Sequence, residues 1–397
     1  MCIRDRNYIL YIGDFKFSRM DAEFQLVLGN AYLFKELGYS VAFIGNDQTL
    51  VSKNTIQTKY EDFFIHNLEY KKNGSDIKNI LKLHKQLVEL IEMYDPSMIC
   101  CYGSLSLAVH LFLLRKYCKK NNIKFIVNCV DLPLINNGSI ISRIVRKVDR
   151  YLRQLIYKNS DGLIAVSKYI STKLNAKNVD VVIPPVRINY KQDYLTKKSD
   201  FPSFMYAGVP FPLDGRKISN GCYKDRLDKI IEIFSCLEHK YDFIFDVYGI
   251  SLKEYLLVIP QHKNILEKSR CIRFHGKIEK EKCDEMIKEH DFMVLLRDEN
   301  RTSLAGFSTK VVDSISLGTP VILNPIGDVT EYLKDNYNSI FVSNISMDIS
   351  LSEFENILSM KQSEITLLKS NCKNYNPFYY RNFLEKTELF FKEVLRK

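Results

Sequence analysis

The chain has 397 residues, 46% of them hydrophobic and 26% charged, a balance that excludes a disordered polypeptide and implies two or three domains. Its 57 lysines and arginines against 47 aspartates and glutamates leave a net charge of +10, which points to an anionic partner such as phosphate, nucleic acid or a membrane surface. The ten cysteines form no Cys-x-x-Cys pair, which argues against a disulfide framework or a zinc site. Cys100, Cys101, Cys118, Cys129, Cys236 and Cys271 sit in apolar or helical contexts, so buried thiols in a reducing compartment are expected.

The leader at positions 1–6, "MCIRDR", does not match the apolar strand behind it and is expected to be foreign to the domain. "NYILYIGDF" is too short to read as a secretory signal. Strand and helix patterns then alternate. "YILYIGD" is a strand, "DAEFQLVLGNAYLFKELGY" a helix stopped at Gly38, "SVAFIG" a strand, "IKNILKLHKQLVELIEMYD" a helix and "SMICCYG" a strand. Pro96 to Leu114 carries no Asp, Glu, Lys or Arg and approaches the length of a membrane span. Gly103, Ser104, Ser106 and His110 interrupt it, so it reads as strand, loop and helix. The helix runs to Lys120 and is followed by the strand "IKFIVNCVD", a basic helix to Tyr157, and the strands "GLIAVS" and "VDVVIPP". Such alternation predicts a parallel sheet covered on both faces, with Gly13, Gly103, Asp131 and Ser167 on the rim where ligands bind.

The basic helix carries two messages. Ile140, Ile144, Val148, Leu152 and Leu155 form an apolar stripe, while Arg143, Arg146, Lys147, Arg150, Arg153 and Lys158 crowd the remainder against a single aspartate, Asp149. Such a helix docks on an anionic membrane, buries its stripe in its own domain as a crossover helix, or does both.

A polar stretch, within which 191–202 is read as a linker, precedes a second alternation: "FMYAGV", "KDRLDKIIEIFSCLEHK", "DFIFDVYG", "KEYLLVIP", "CIRFHG", "KEKCDEMIKEH", "DFMVLLR", "PVILN" and "SIFVS". Its rim falls at Gly208, Gly249, Gly276 and Arg297. The tail "NPFYYRNFLEKTELFFKEVLRK" reads as one long amphipathic helix. Between "DFMVLLR" and "PVILN", "RTSLAGFSTKVVDSISLGT" reads as a loop followed by a helix. Ser308 or Thr309 is its N-cap, Val311, Val312, Ile315 and Leu317 face inward, and Gly318 is the C′ residue. A helix start with Gly306 before it and Lys310 just inside offers backbone N–H groups to an anion.

The run "CIRFHGKIEKEKCDEMIKEHDFMVLLR", continued by "AGFSTKVVDSISLGTPVI", resembles the carboxyl-terminal domain of the retaining glycosyltransferases of family 4. "MYAGVPF" with "YKDRLDKIIEIF", "NSDGLIAVSKYI" with "VDVVIPP", and "GDFKFSRMDAEFQLVLGNAYLFKELGYSVAFIG" extend the resemblance over nearly the whole chain. It implies an α/β GT-B fold, two Rossmann-like domains facing each other across a cleft, with a C-terminal helix packing back toward the first. The corresponding boundaries are 7–190 for the acceptor-side domain, 191–202 for the linker, 203–375 for the nucleotide-sugar domain and 376–397 for the crossover helix. Two departures stand out. The pattern's two glutamates are here Ala305 and Asp313, and its arginine after the first glycine is Val209.

By this resemblance Gly208, Lys224, Arg226, Arg297, Gly306, Phe307, Ser308, Thr309, Lys310 and Asp313 bind the donor. Lys224 and Lys310 stabilise the departing diphosphate, Asp313 holds the ribose hydroxyls, and Asp131 faces the reacting sugar. The plainer reading of each is a capped turn, a solvated surface charge or a loop aspartate. No Asp-x-Asp and no clustered His and Cys occur, so no metal and no other cofactor is expected. The expected function is retaining sugar transfer from a nucleotide-sugar donor to a saccharide or lipid-linked acceptor, in surface polysaccharide assembly. The alternatives are a non-catalytic or degenerate nucleotide-sugar-binding partner of an assembly complex and a GT-B nucleotide-sugar epimerase. A cytoplasmic location is expected, with peripheral contact at the inner face of an anionic membrane and no nucleic-acid partner. Lys310 and Asp313 are expected to line an open surface, so that replacing them leaves stability unchanged.

Overall fold

The computed structural model describes residues 7–14, 16–17, 22–45, 57–68, 77–103, 108–132, 140–174, 179–188, 201–213, 223–343 and 346–396. The leader at 1–6, and the expected linker as far as position 200, lie outside these residues. The chain divides into two compact units, Met1–Ile188 together with Tyr380–Lys397, and Asn189–Tyr379.

The first unit holds an eight-stranded sheet of β1 (Tyr8–Gly13), β2 (Ser40–Gly45), β3 (Gln57–Tyr60), β4 (Phe63–Asn67), β5 (Met98–Tyr102), β6 (Lys124–Cys129), β7 (Gly162–Ala165) and β8 (Val179–Val182). Their spatial order is β3-β4-β2-β1-β5-β6-β7-β8. Every described pairing is parallel except the β3–β4 hairpin. The inner strands are continuous apolar runs because helices cover both faces, as "MICCY" of β5 illustrates with every residue buried. The β3–β4 hairpin was not expected. β3 is the polar edge strand "QTKY", and the turn at Glu61 and Asp62 places Glu61 at φ 51°, so neither alternation nor glycine announces it.

The carboxyl-terminal tail closes this unit. The structure replaces the single long tail helix with a 3-10 turn, Tyr380–Phe383, and a helix, Leu384–Arg396. At the turn, the Tyr380 ring meets that of Tyr32 with centroids 6.2 Å apart, and the Tyr380 N–H donates to the Arg187 carbonyl at 3.0 Å. The helix lies so close to β7 that a Cβ on Gly162 would stand 2.6 Å from Phe390 Cζ and 2.8 Å from Val394 Cγ2. Phe391 meets Phe34 of the helix Ala22–Glu36 with ring centroids 5.1 Å apart. The expected packing of the last helix onto the first domain is therefore observed.

The basic helix spans Ile140–Lys158 and is inside out for a crossover helix. Ile144 is 58% exposed, Val148 53% and Tyr151 62%, whereas Arg153 is buried. Asp149 explains the orientation. Its Oδ1 accepts from the Ala108 N–H at 2.6 Å, at the start of the helix Ala108–Lys120, and its Oδ2 accepts from Arg153 Nε at 2.6 Å. This polar lock turns Arg146, Asp149, Arg150, Arg153 and Tyr157, one helical face by their spacing, away from the apolar stripe. Among its described side chains, Ile144, Val148, Leu152 and Leu155, the stripe is not buried.

The second unit holds six strands, all parallel where paired: β9 (Ser203–Ala207), β10 (Ile244–Tyr248), β11 (Ile272–Gly276), β12 (Phe292–Leu295), β13 (Val321–Leu323) and β14 (Ser339–Phe341). Their order is β11-β10-β9-β12-β13-β14. Chain progression reverses between β9 and β12, and ligands of such sheets bind outside the strand ends at that reversal. Gly208 follows β9 and Arg297 follows β12, so the fold brings these two rim residues together. Under the sheet, Phe204, Phe234, Phe245 and Phe292 form a buried aromatic core. The described cysteines are all free. Cys100, Cys101, Cys118 and Cys129 are buried as expected, but Cys271 is only partly covered and Cys236, on the outer face of its helix, is exposed.

Candidate functional site

The site in the second unit is built around a residue that the sequence pattern did not single out. Asp225 is 0% exposed, just ahead of the helix Leu227–Leu237. One oxygen accepts from Tyr206 Oη at 2.8 Å and from Lys310 Nζ at 2.7 Å; the other accepts from Arg297 Nε at 2.8 Å. Burial pushes the Asp225 carboxyl up, but Lys310 and Arg297 beside it, with the hydrogen bonds from Lys310 and Tyr206, outweigh that and hold it well below the usual carboxylate range. The same burial and the neighbouring carboxylate push the Tyr206 phenol well up, so it stays a neutral donor.

Each partner is fixed by its own element. Arg297 lies two residues beyond β12, and its backbone N–H and carbonyl are both held by the Asn324 side chain at 2.9 and 2.7 Å. Lys310 lies in the first turn of the helix Thr309–Ser316 and reaches across the turn after β9. Gly208 there has φ +136°, and a Cβ would stand 2.5 Å from Lys310 Cε. A Cβ on Gly249, after β10, would in turn stand 2.7 Å from the Gly208 backbone. Two glycines thus open the notch through which Lys310 passes, its ammonium 5.3 Å above the Tyr206 ring.

The helix start adds donors. Ser308 is the N-cap, but it makes no side-chain cap bond, and its Oγ is buried with no hydrogen-bond partner. The first i→i−4 bond of the helix runs from the Val312 N–H to the Ser308 carbonyl at 3.3 Å, so Thr309, Lys310 and Val311 have no acceptor within the helix. The segment before it is a short helix, Arg301–Ala305, rather than a loop. Asn300 caps it by accepting from the Thr302 and Ser303 N–H groups at 2.9 and 3.0 Å. Gly306 has φ −88°, which any residue adopts. Phe307 packs against Tyr332 and Phe378 at centroid distances of 5.5 and 5.6 Å and anchors the turn. Gly318 follows the helix at φ +83°, as a C′ residue does.

The remaining candidates stand apart from this knot. Lys224 is exposed, its backbone N–H donating to the Pro210 carbonyl at 2.9 Å. Arg226 is tied to Asp228 and Asp298, both at 2.7 Å. Asp313, one turn further along its helix, faces Lys280 at 3.5 Å. Asp131 belongs to the first unit, at the exposed end of β6, where its Oδ1 accepts from the Leu132 N–H at 2.7 Å. The structure therefore assembles Gly208, Arg297, Ser308, Thr309 and Lys310, and adds Tyr206, Asp225, Gly249 and Asn324.

Lys310 is 14% exposed and paired to a fully buried carboxylate, which corrects the expectation that its loss leaves stability unchanged. Lys310 and Arg297 share the Asp225 carboxylate at the strand ends. Lys310 also has three donors, which one carboxylate oxygen does not exhaust. Among the described residues, no three His, Cys, Asp or Glu side chains gather as metal ligands.

Residues 219–372 match the family model described as "Glycosyl transferases group 1", so the second unit carries a glycosyltransferase domain of that group. No curated protein sequence matches the chain. Among solved structures, the chain resembles sucrose-phosphate synthase from Thermosynechococcus elongatus, with a TM-score of 0.70, 12% identity, and coverage of 98% of this chain and 100% of that one. It resembles a glycosyltransferase from Rickettsia africae ESF-5, with a TM-score of 0.68, 17% identity, and coverage of 99% and 100%. Anabaena Alr3699/HepE, solved in complex with UDP, gives a TM-score of 0.64 at 12% identity, covering 97% and 99%. The fold is that of the GT-B glycosyltransferases.

Proposed function

We propose that the chain transfers a sugar, with retention at the anomeric carbon, from a nucleotide-sugar donor to an acceptor hydroxyl in surface polysaccharide assembly. The observation that carries this reading is Lys310, threaded over Gly208 and fixed by Asp225 beside Arg297, at the point where the second sheet reverses. A leaving diphosphate needs positive charge and N–H donors already oriented where its own charge grows. Lys310, the Thr309–Val311 N–H groups and the unpartnered Ser308 hydroxyl supply them without reorganisation. Asp225 serves as the positioning residue: it fixes the ammonium and guanidinium without cancelling both. Asp313 accepts from the ribose hydroxyls, and Asp131 of the first unit orients the acceptor. In this scheme the transfer requires no metal ion. The Anabaena relative, solved with UDP, supports a nucleoside diphosphate as the leaving group.

The acceptor is lipid-linked or a growing saccharide, met at the inner face of an anionic membrane. The outward stripe of Ile144, Val148 and Tyr151, flanked by exposed Arg143 and Lys147, supports this, because apolar residues edged by cations dock at a lipid interface. Among the described residues no helix is long and apolar enough to cross a membrane. The test is turnover. Incubation with UDP-, GDP- and ADP-sugars should release the nucleoside diphosphate from one of them, with and without EDTA alike. Release from none of them in the presence of acceptor saccharides contradicts transfer, and activity lost to EDTA and restored by manganese contradicts the metal-free scheme.

A further inference from the structure

The first unit contains a cavity of about 320 Å³ at the carboxyl ends of β5 and β6, roofed by the inward face of the helix Ile140–Lys158. It sits where ligands of parallel sheets bind, and its size lies at the lower end of ligand pockets, about 300–1,000 Å³. That is room for a single sugar unit.

Its charged walls are unequal. Arg146, Arg150 and Arg153 line the roof with Asp149, and Asp131 lines the opposite side. Asp149 is committed on both oxygens, to the Ala108 N–H and to Arg153. Arg153 is therefore paired within the roof, and Arg146 and Arg150 line the cavity together with Asp131, at the exposed rim. The buried polar atoms here that have no hydrogen-bond partner include Arg150 Nε in the roof and Asn128 Oδ1 in the floor. Asn128 is 1% exposed, and its other amide atom is spent on the Ile164 carbonyl at 3.4 Å. A guanidinium N–H lacking an acceptor and an amide oxygen lacking a donor, on opposing walls of one cavity, describe a ligand that accepts at one end and donates at the other.

We propose that this cavity binds a hydroxylated unit bearing an oxyanion, a phosphate or a carboxylate. The oxyanion meets Arg150 and Arg146, and a hydroxyl donates to Asn128 Oδ1. Resting on the transferase reading, this makes the acceptor an acidic or phosphorylated sugar, or the sugar next to a lipid phosphate. The binding itself does not depend on that reading.

Titration calorimetry of the full chain with glucose 1-phosphate, glucuronate, glucose and inorganic phosphate tests it. At least one charged sugar should bind tenfold or more tightly than glucose and than inorganic phosphate. A preference for glucose 1-phosphate identifies the phosphate source, and one for glucuronate the carboxylate source. Arg150→Gln, and separately Arg146→Gln at the accessible end, should each weaken that sugar at least tenfold while UDP affinity stays unchanged. Glucose binding as well as its charged counterparts overturns the proposal, as does unaltered affinity in both variants. Equal binding of inorganic phosphate means an adventitious ion only, and also overturns it. Loss of UDP binding in the parent chain with sugar binding intact would instead contradict the donor-site reading alone.

Discussion

At the scale of single residues, Asp225 organises the second unit, and it was the least legible. In "YKDRLDK" it is one charge among many, and the resemblance drew attention to its neighbour Lys224. Nothing local marks it as the residue that turns inward, because its partners Tyr206, Arg297 and Lys310 are remote in sequence. Its role makes a sharp prediction. Asp225→Asn removes the buried carboxylate that Lys310 and Arg297 share, a loss of about 3–5 kcal/mol. For a unit of this size that lowers the melting temperature by roughly ten degrees. The pH dependence follows from the direction of the shift. Folding depresses the Asp225 carboxyl, so its contribution is present above the unfolded value, about 3.9, and is lost as pH falls below that toward the folded value. Asp246 behaves likewise. Burial raises its carboxyl, but hydrogen bonds from His290, Arg273 and His275, with the Arg273 charge, pull it well below the usual range. Chemical denaturation from pH 6 to pH 2.5 should show stability falling below about pH 4, less steeply in Asp225→Asn and Asp246→Asn. A parallel slope in both variants would contradict the assignment.

At the scale of elements, strand positions and the capped helix after Phe307 were readable because they depend on local sequence: continuous apolar runs, the N-cap at Ser308 and the C′ glycine at Gly318. Sheet order was not readable, nor was the hairpin Gln57–Asn67, whose edge strand is polar. The helix Ile140–Lys158 shows why periodicity alone left its orientation open. The sequence displays two faces, and only the capture of Asp149 by Ala108 and Arg153 decides which of them turns inward. The proposed membrane face is accordingly narrower than the run of basic residues, since Arg150 and Arg153 belong to the cavity side. Ile144→Ser with Val148→Ser should abolish most sedimentation with phosphatidylglycerol vesicles and leave the melting temperature unchanged, because neither side chain is buried. A fall of several degrees would mean that the stripe packs within the protein after all. Gly208→Ala tests the notch. The clash with Lys310 and the positive φ should destabilise the second unit and displace the ammonium, lowering diphosphate affinity as well.

At the scale of the whole molecule, the two-unit α/β architecture was legible from its alternation, and the tail's return to the first unit from the resemblance. The break of that tail into a turn and a helix was not, because it depends on the contacts of Tyr380 with the far end of its unit. The division of labour follows from the two sheets. The second presents Lys310, Arg297 and open N–H groups, the proposed place of a diphosphate; the first offers a cavity with unmet hydrogen bonds and an outward apolar stripe. The central claim is that Lys310 and its helix start hold the diphosphate. Calorimetric affinities of UDP and of uridine for the parent chain and for Lys310→Met, measured under conditions where both remain folded, test it most directly. A charge-assisted hydrogen bond contributes about 1.5–3 kcal/mol, roughly ten- to a hundredfold in affinity. The account predicts a loss of that size for UDP and almost none for uridine. Equal affinity of parent and variant for UDP, with the fold intact, would contradict it.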